Sequence, residues 1–246
     1  MSNLLASSLE KALASGQPVI TAEITPPVGG DPSHALEMAE GLRGQVQAFN
    51  VTDGSRAVMG MSSLALCRLL LERGLEPILQ LGCRDRNRIA LQADLLGAHA
   101  LGIRNVLCLT GDPVKAGNQP EARAVFDLES VRLLRQVQQL NGGIGPVGKP
   151  LEDGAPALFP GAAADPQSAS WSGLTSRMRR KAEAGARFVQ TQMVMDASAL
   201  QRFCTEIAAP LNVPVLAGVF LLKSAKNAAF INRVVPGAQI PQPLID

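Results

Sequence analysis

Five short apolar runs in this 246-residue chain end in groups that can hold a proton or a hydrogen bond: Glu23, Thr52–Asp53, Gln80, Thr110–Gly111–Asp112 and Gln192. Glu23 differs because it interrupts VITAEITPP from inside the run. Facing a partly dry cavity, its carboxyl has a raised pKa and suits general acid work; facing outward, it is an ordinary surface carboxylate. Asp112 follows LCLTG, where Gly111 permits close backbone approach to a ligand, and the long loop from Pro113 to Phe126 comes next. The plainer reading of Asp112 is a turn residue. Arg180 and Lys181 lie near the middle of the helix before the sixth run, either holding an anion such as a diphosphate or facing solvent.

These groups can converge only if the runs are parallel strands of one sheet. The runs are Val19–Glu23, Ala48–Thr52, Pro77–Leu81, Asn105–Leu109, Ala157–Gly161, Phe188–Gln192 and Val213–Gly218, and stretches of helical period separate them. Asp31–Pro32, Asp85, Asp127 and Asp196 stand where helix N-caps belong, and Gly44, Gly102 and Gly142 where helices stop. The run Gly142–Gly154 reads as a surface loop. This alternation predicts an α/β fold, a TIM-type (β/α)8 barrel forming a single domain over 1–246. After SAKNAAFINRV, the segment Val235–Asp246 has turn residues and no eighth strand. The last βα unit is therefore expected to be missing, with a partner subunit or a second copy covering the open edge.

Composition excludes several classes of function. Hydrophobic residues at 46% against 18% charged predict a substantial core. A net charge of +2, 3% aromatics and no tyrosine argue against a nucleic-acid partner. Cys67, Cys83, Cys108 and Cys204 contain no C-x-x-C pair, and with only His34 and His99 to join them they predict no metal site; Cys67 and Cys108 read as core residues. The first sixteen residues do not read as a leader, and no run is long enough to span a membrane, so a cytoplasmic protein is expected. No G-x-G-x-x-G or G-x-x-x-x-G-K-[ST] motif occurs, so a dinucleotide would not be held in Rossmann or P-loop style.

The order of motifs resembles the methylenetetrahydrofolate reductase family in its compact bacterial form. AEITPP (Ala22–Pro27), FNVTDGSRA (Phe49–Ala57), the long segment Gly82–Pro113, FVQTQ (Phe188–Gln192) and LAGVFLLKS (Leu216–Ser224) carry the resemblance over nearly the whole chain. It implies an FAD-dependent oxidoreductase of one-carbon metabolism and methionine biosynthesis. Such an enzyme reduces 5,10-methylenetetrahydrofolate to 5-methyltetrahydrofolate with NADH or NADPH. By the same resemblance Glu23 would donate a proton to the folate, Asp112 would contact the pterin, and Gln192 and Thr52 would bind substrate. Thr52, Gln80, Thr110, Gly111, Asp112, Asp165, Arg180 and Lys181 would contact FAD. Gln80 stands where some members carry histidine, and Leu221 where proline is usual. The alternative is a folate- or flavin-binding subunit, or an inactive fragment, that needs a partner chain.

Overall fold

The computed structural model describes residues 6–234 and 240–245. Most of the turn expected after the last helix, at 235–239, lies outside the described residues. The chain divides into two compact units, Met1–Gly161 and Ala162–Asp246.

In the first unit, α1 (Ser8–Ala14) precedes β1 (Thr21–Ile24), α2 (Ser33–Glu40), β2 (Ala48–Val51), α3 (Ser63–Glu72), β3 (Pro77–Gly82), α4 (Arg88–Ala100), β4 (Asn105–Leu109) and α5 (Ser130–Asn141). Strands β1 to β4 pair in parallel with their sequence neighbours. β5 (Phe159–Ala164) crosses the boundary between the units. The second unit continues with α6 (Trp171–Glu183), β6 (Phe188–Met193), α7 (Ala197–Phe203), β7 (Val215–Gly218) and α8 (Ala225–Val234). Strand order in the sheet follows the sequence, β1 to β7. With a helix between successive strands, this is the topology of a TIM-type barrel, with seven strands among the described residues.

The helix α1 had a signal in the sequence, the spacing Ser7-x-x-Glu10 of a capping box. Ser7 Oγ accepts the Glu10 amide at 3.0 Å and donates to Asn105 Oδ1 at 2.6 Å, tying the helix to the start of β4. Asp196 caps α7 as expected, accepting from the amides of Ser198 and Ala199. Two other expected caps are displaced. Asn87, not Asp85, caps α4 through the Ala90 amide, and Glu129, not Asp127, caps α5 through Val131 and Arg132. In both cases the aspartate is paired to an arginine, Asp85 with Arg84 and Asp127 with Arg88. Asp31 acts one residue early, accepting the Ser33 amide at 2.9 Å.

The fifth strand also begins later than its apolar run. The Ala157 amide donates to His99 Nδ1 at 3.1 Å, and the Leu158 amide and carbonyl are both held by the Asn141 side chain, at 3.0 and 2.8 Å. With these groups occupied by side chains, the strand starts at Phe159.

Asn141→Ala removes both of these bonds, and its expected cost is about 2 kcal/mol at about 1 kcal/mol per bond. Urea unfolding of wild type and variant measures it. A loss below about 0.5 kcal/mol would show that the clamp does not position the strand.

Candidate functional site

Alternation sets the face on which each side chain of the first unit lies. Ala22 and Ile24 of β1, Phe49 and Val51 of β2, and Leu79 of β3 pack with Leu36, Leu66 and Leu70 of α2 and α3. The pleat then places Glu23, Asn50, Thr52 and Gln80 on the opposite face. Register sets Glu23 beside Asn50, and the Thr52 amide extends the ladder to the Ile24 carbonyl at 3.2 Å. A polar row thus lines the face the helices leave uncovered. Asn50, Thr52 and Gln80 are all buried.

Although Glu23 is exposed, the protein packed around it partly desolvates the carboxylate and raises its pKa above the ordinary range. Among the described residues it has no hydrogen-bond or ion-pair partner. Beside it, Asn50 Nδ2 donates to Thr21 Oγ1 at 3.1 Å, while Asn50 Oδ1 and Thr52 Oγ1 are buried without a partner.

The strand ends are fixed by an ion pair between residues too far apart in sequence for spacing to reveal, Asp53 and Arg86. Asp53 accepts from Arg86 at 2.7 and 3.2 Å, from the Gly82 amide at 2.9 Å and from Ser63 Oγ at 3.3 Å. Arg86 also pairs with Asp94 at 2.8 Å, so the ends of β2 and β3 are tied to α4.

Asp112 Oδ2 accepts the Arg56 amide at 2.8 Å. Arg56 and Ala57 both adopt left-handed φ, +56° and +55°, a conformation costing about 1 kcal/mol or more per non-glycine residue. Asn118 Oδ1 takes the Met59 amide at 3.0 Å, and a Cβ on Gly117 would lie 1.8 Å from the Ala57 carbonyl oxygen. The long loop after β4 therefore clamps the strained loop after β2. Gly111 has φ +95°, and a Cβ there would come within 3.0 Å of Arg84 Cβ, so the close approach it permits is to Arg84. Thr110 Oγ1 accepts the Ser130 amide at 3.2 Å.

In the second unit, Val189 of β6 packs with Leu174, Met178 and Phe203. Gln190 consequently faces the other way, and its Oε1 is buried without a partner. Gln192 is exposed and lies within a register shift between Gln190 and Met193. Asp165 closes a turn through the Gln167 amide at 3.0 Å. Arg180 and Lys181 sit in the last turn of α6 rather than near its middle. Arg180 is exposed, whereas Lys181 Nζ donates to the Ala163 carbonyl at 2.6 Å. Adjacent helix positions point about 100° apart, so Arg180 and Lys181 leave the helix in different directions.

Glu23, Thr52 and Gln80 therefore share one face of the first unit. Thr110, Gly111 and Asp112 shape the turn after β4. A cavity of about 410 Å³ lies at the opposite, N-terminal ends of β2 and β3, lined by Arg43, Gln47, Phe49 and Glu76. Gln47 and Glu76 are committed there to Ile20 and Asn105. Cys67 and Cys108 are core residues, and burial pushes the Cys67 thiol well up.

A family model described as methylenetetrahydrofolate reductase matches residues 8–246. A Caenorhabditis elegans relative named as a probable methylenetetrahydrofolate reductase (NADPH) is 26% identical over 99% of this chain and 36% of its own length. Methylenetetrahydrofolate reductase 1 of Schizosaccharomyces pombe is 30% identical over 68% of this chain and 26% of its own. The chain spans between about a quarter and just over a third of the length of these curated relatives. Among solved structures, a Clostridium thermocellum protein described as binding two copies of 5-methyl-5,6,7,8-tetrahydrofolic acid superposes with a TM-score of 0.66. It is 14% identical over 96% of this chain and 77% of its own. A tryptophan synthase from M. tuberculosis gives 0.55 at 15% identity, over 98% of this chain and 91% of its own. At such identities these structural likenesses establish the fold alone.

Asp53→Ala leaves Arg86 with Asp94 as its remaining carboxylate and unpairs the Gly82 amide. Because Asp53 and Arg86 are only 11% and 20% exposed, the expected loss of stability is about 3 kcal/mol, well beyond that of a surface pair. Chemical denaturation reads it, and a loss under about 1 kcal/mol would mean that the strand ends are held by something else.

Proposed function

The chain belongs to the methylenetetrahydrofolate reductase family, and from that premise we propose that it reduces 5,10-methylenetetrahydrofolate to 5-methyltetrahydrofolate with hydride from NADH or NADPH, residues 1–246 acting as one catalytic domain. The observation that carries the reading is Glu23, a carboxyl on the uncovered face of the sheet with no partner among the described residues and a pKa raised by desolvation. Such a group stays protonated to higher pH than a surface carboxylate, as a general acid must. The folate bound by the Clostridium thermocellum neighbour and the NADPH in the name of the Caenorhabditis elegans relative support the substrate classes.

The residues of the polar row fit a flavin ring. Thr52 Oγ1 is a buried oxygen in need of a partner, which a ring N–H supplies. Bound there, FAD would supply the hydride chemistry that links the nicotinamide to the folate. Thr52, Gln80, Thr110, Gly111 and Asp112 would lie against it, with Asp165, Arg180 and Lys181 the candidates for its polar tail. Glu23 gives its proton to the ring nitrogen that leaves as the folate's five-membered ring opens, so that carbon becomes electrophilic enough to accept hydride. Asp112, held by the Arg56 amide, would meet the pterin, and Gln192, exposed at the end of β6, would hydrogen-bond folate or nicotinamide.

Only the folate half-reaction needs the proton. Glu23→Gln should leave reduction of the flavin by nicotinamide within about tenfold of wild type and slow folate reduction by about 10²–10⁴-fold. The protonated fraction of Glu23 falls as pH rises through its raised pKa. Wild-type folate reduction should therefore decline on that limb, and the variant should lack it. Stopped-flow absorbance follows each half-reaction, and equal losses in both would remove Glu23 from the proton transfer.

A further inference from the structure

Two unmet groups lie side by side on the uncovered face. Glu23 has no partner among the described residues, and Asn50, its register neighbour on the adjacent parallel strand about 4.8 Å away, is 4% exposed with Oδ1 lacking a donor. The orientation of the Asn50 amide is fixed, because Nδ2 is committed to Thr21 Oγ1, two residues before Glu23 on β1. That bond turns the acceptor end of the amide away from Thr21. An ionised carboxylate offers only acceptors and would be repelled by this oxygen, whereas a protonated carboxyl carries the one donor it lacks.

We propose that Asn50 is a positioning residue for the acid, its Oδ1 accepting the Glu23 proton and so holding the carboxyl in its protonated form. The proposal rests on the reading of Glu23 as proton donor. It adds a second, directional contribution to that of desolvation, since a buried oxygen left unpaired is costly and protonation of Glu23 relieves that cost. Charged neighbours do not explain the acid's state. The titratable groups on the elements packed against β1 are Asp53, which follows β2 and is paired with Arg86, and His34, Glu37 and Glu40 of α2. That helix packs on the other face of the strand through Ala35, Leu36 and Ala39.

The test reads the carboxyl itself. Carboxyl-¹³C NMR of glutamate-labelled protein, with the Glu23 resonance assigned by its loss in Glu23→Gln, gives its titration in wild type, Asn50→Ser and Thr21→Val. Serine removes the fixed acceptor and offers a hydroxyl that can donate to the carboxylate. Valine releases Nδ2 and lets the amide turn to donate instead. Both variants should titrate Glu23 at lower pH, by about half a unit or more. Thr21→Val keeps the proposal falsifiable if Asn50→Ser fails to fold. An unchanged or higher titration point in folded variants overturns it. The half-reaction kinetics of Glu23→Gln judge the catalytic reading separately, because the NMR titration needs neither substrate nor turnover.

Discussion

The alternation of side chains along β1 and β2 is the constraint on which the site depends. Once Ala22, Ile24, Phe49 and Val51 are buried against α2 and α3, every intervening residue must occupy the opposite face. In an ordinary core that face would also be apolar. Here it carries Glu23, Asn50, Thr52 and Gln80, and burying a polar row costs stability unless a partner satisfies it. Two oxygens of the row are left without one. In the proposed reaction, the packing energy given up keeps polar groups where a ligand can use them.

The surrounding structure holds this row rigidly enough to be useful. Asp53 and Arg86 join the ends of β2 and β3 to α4 just beyond Thr52 and Gln80. The loop after β4 reaches back to the loop after β2 through Asp112 and Asn118, and Gly117 makes that contact possible because any side chain would collide with the Ala57 carbonyl. The left-handed conformations of Arg56 and Ala57 are the strain this clamp maintains. Asp112 is thus both a structural acceptor and, in the proposed reaction, a substrate contact, since only one of its oxygens receives the Arg56 amide.

Much of this could be read from the amino-acid sequence. The seven strands follow from apolar runs separated by helical stretches, and all seven begin within two residues of their runs, with β1, β5 and β7 each two residues late. The fifth began late because His99 and Asn141, distant in sequence, occupy the backbone groups of Ala157 and Leu158. Asp85 and Asp127 looked like caps but were drawn to arginines, a competition that local spacing does not reveal. Thr21 and Glu23 alternate with Ala22 and Ile24, so their shared face was legible. Which face the helices cover was not, because that depends on packing between elements. Asn50 went unnoticed because one amide in an apolar strand has no spacing signature, and its importance appears only when its neighbour in register is known.

The claim that most needs a direct answer is that this polypeptide moves hydride from a nicotinamide to a folate through a flavin. The visible absorbance spectrum of the purified protein, supplied with FAD and kept free of oxygen, tests it in one sequence of additions. The flavin band should be present on the protein, bleach when NADH or NADPH is added, and return when 5,10-methylenetetrahydrofolate follows. Protein that retains no flavin, or a bleached band that only oxygen restores, would contradict the account.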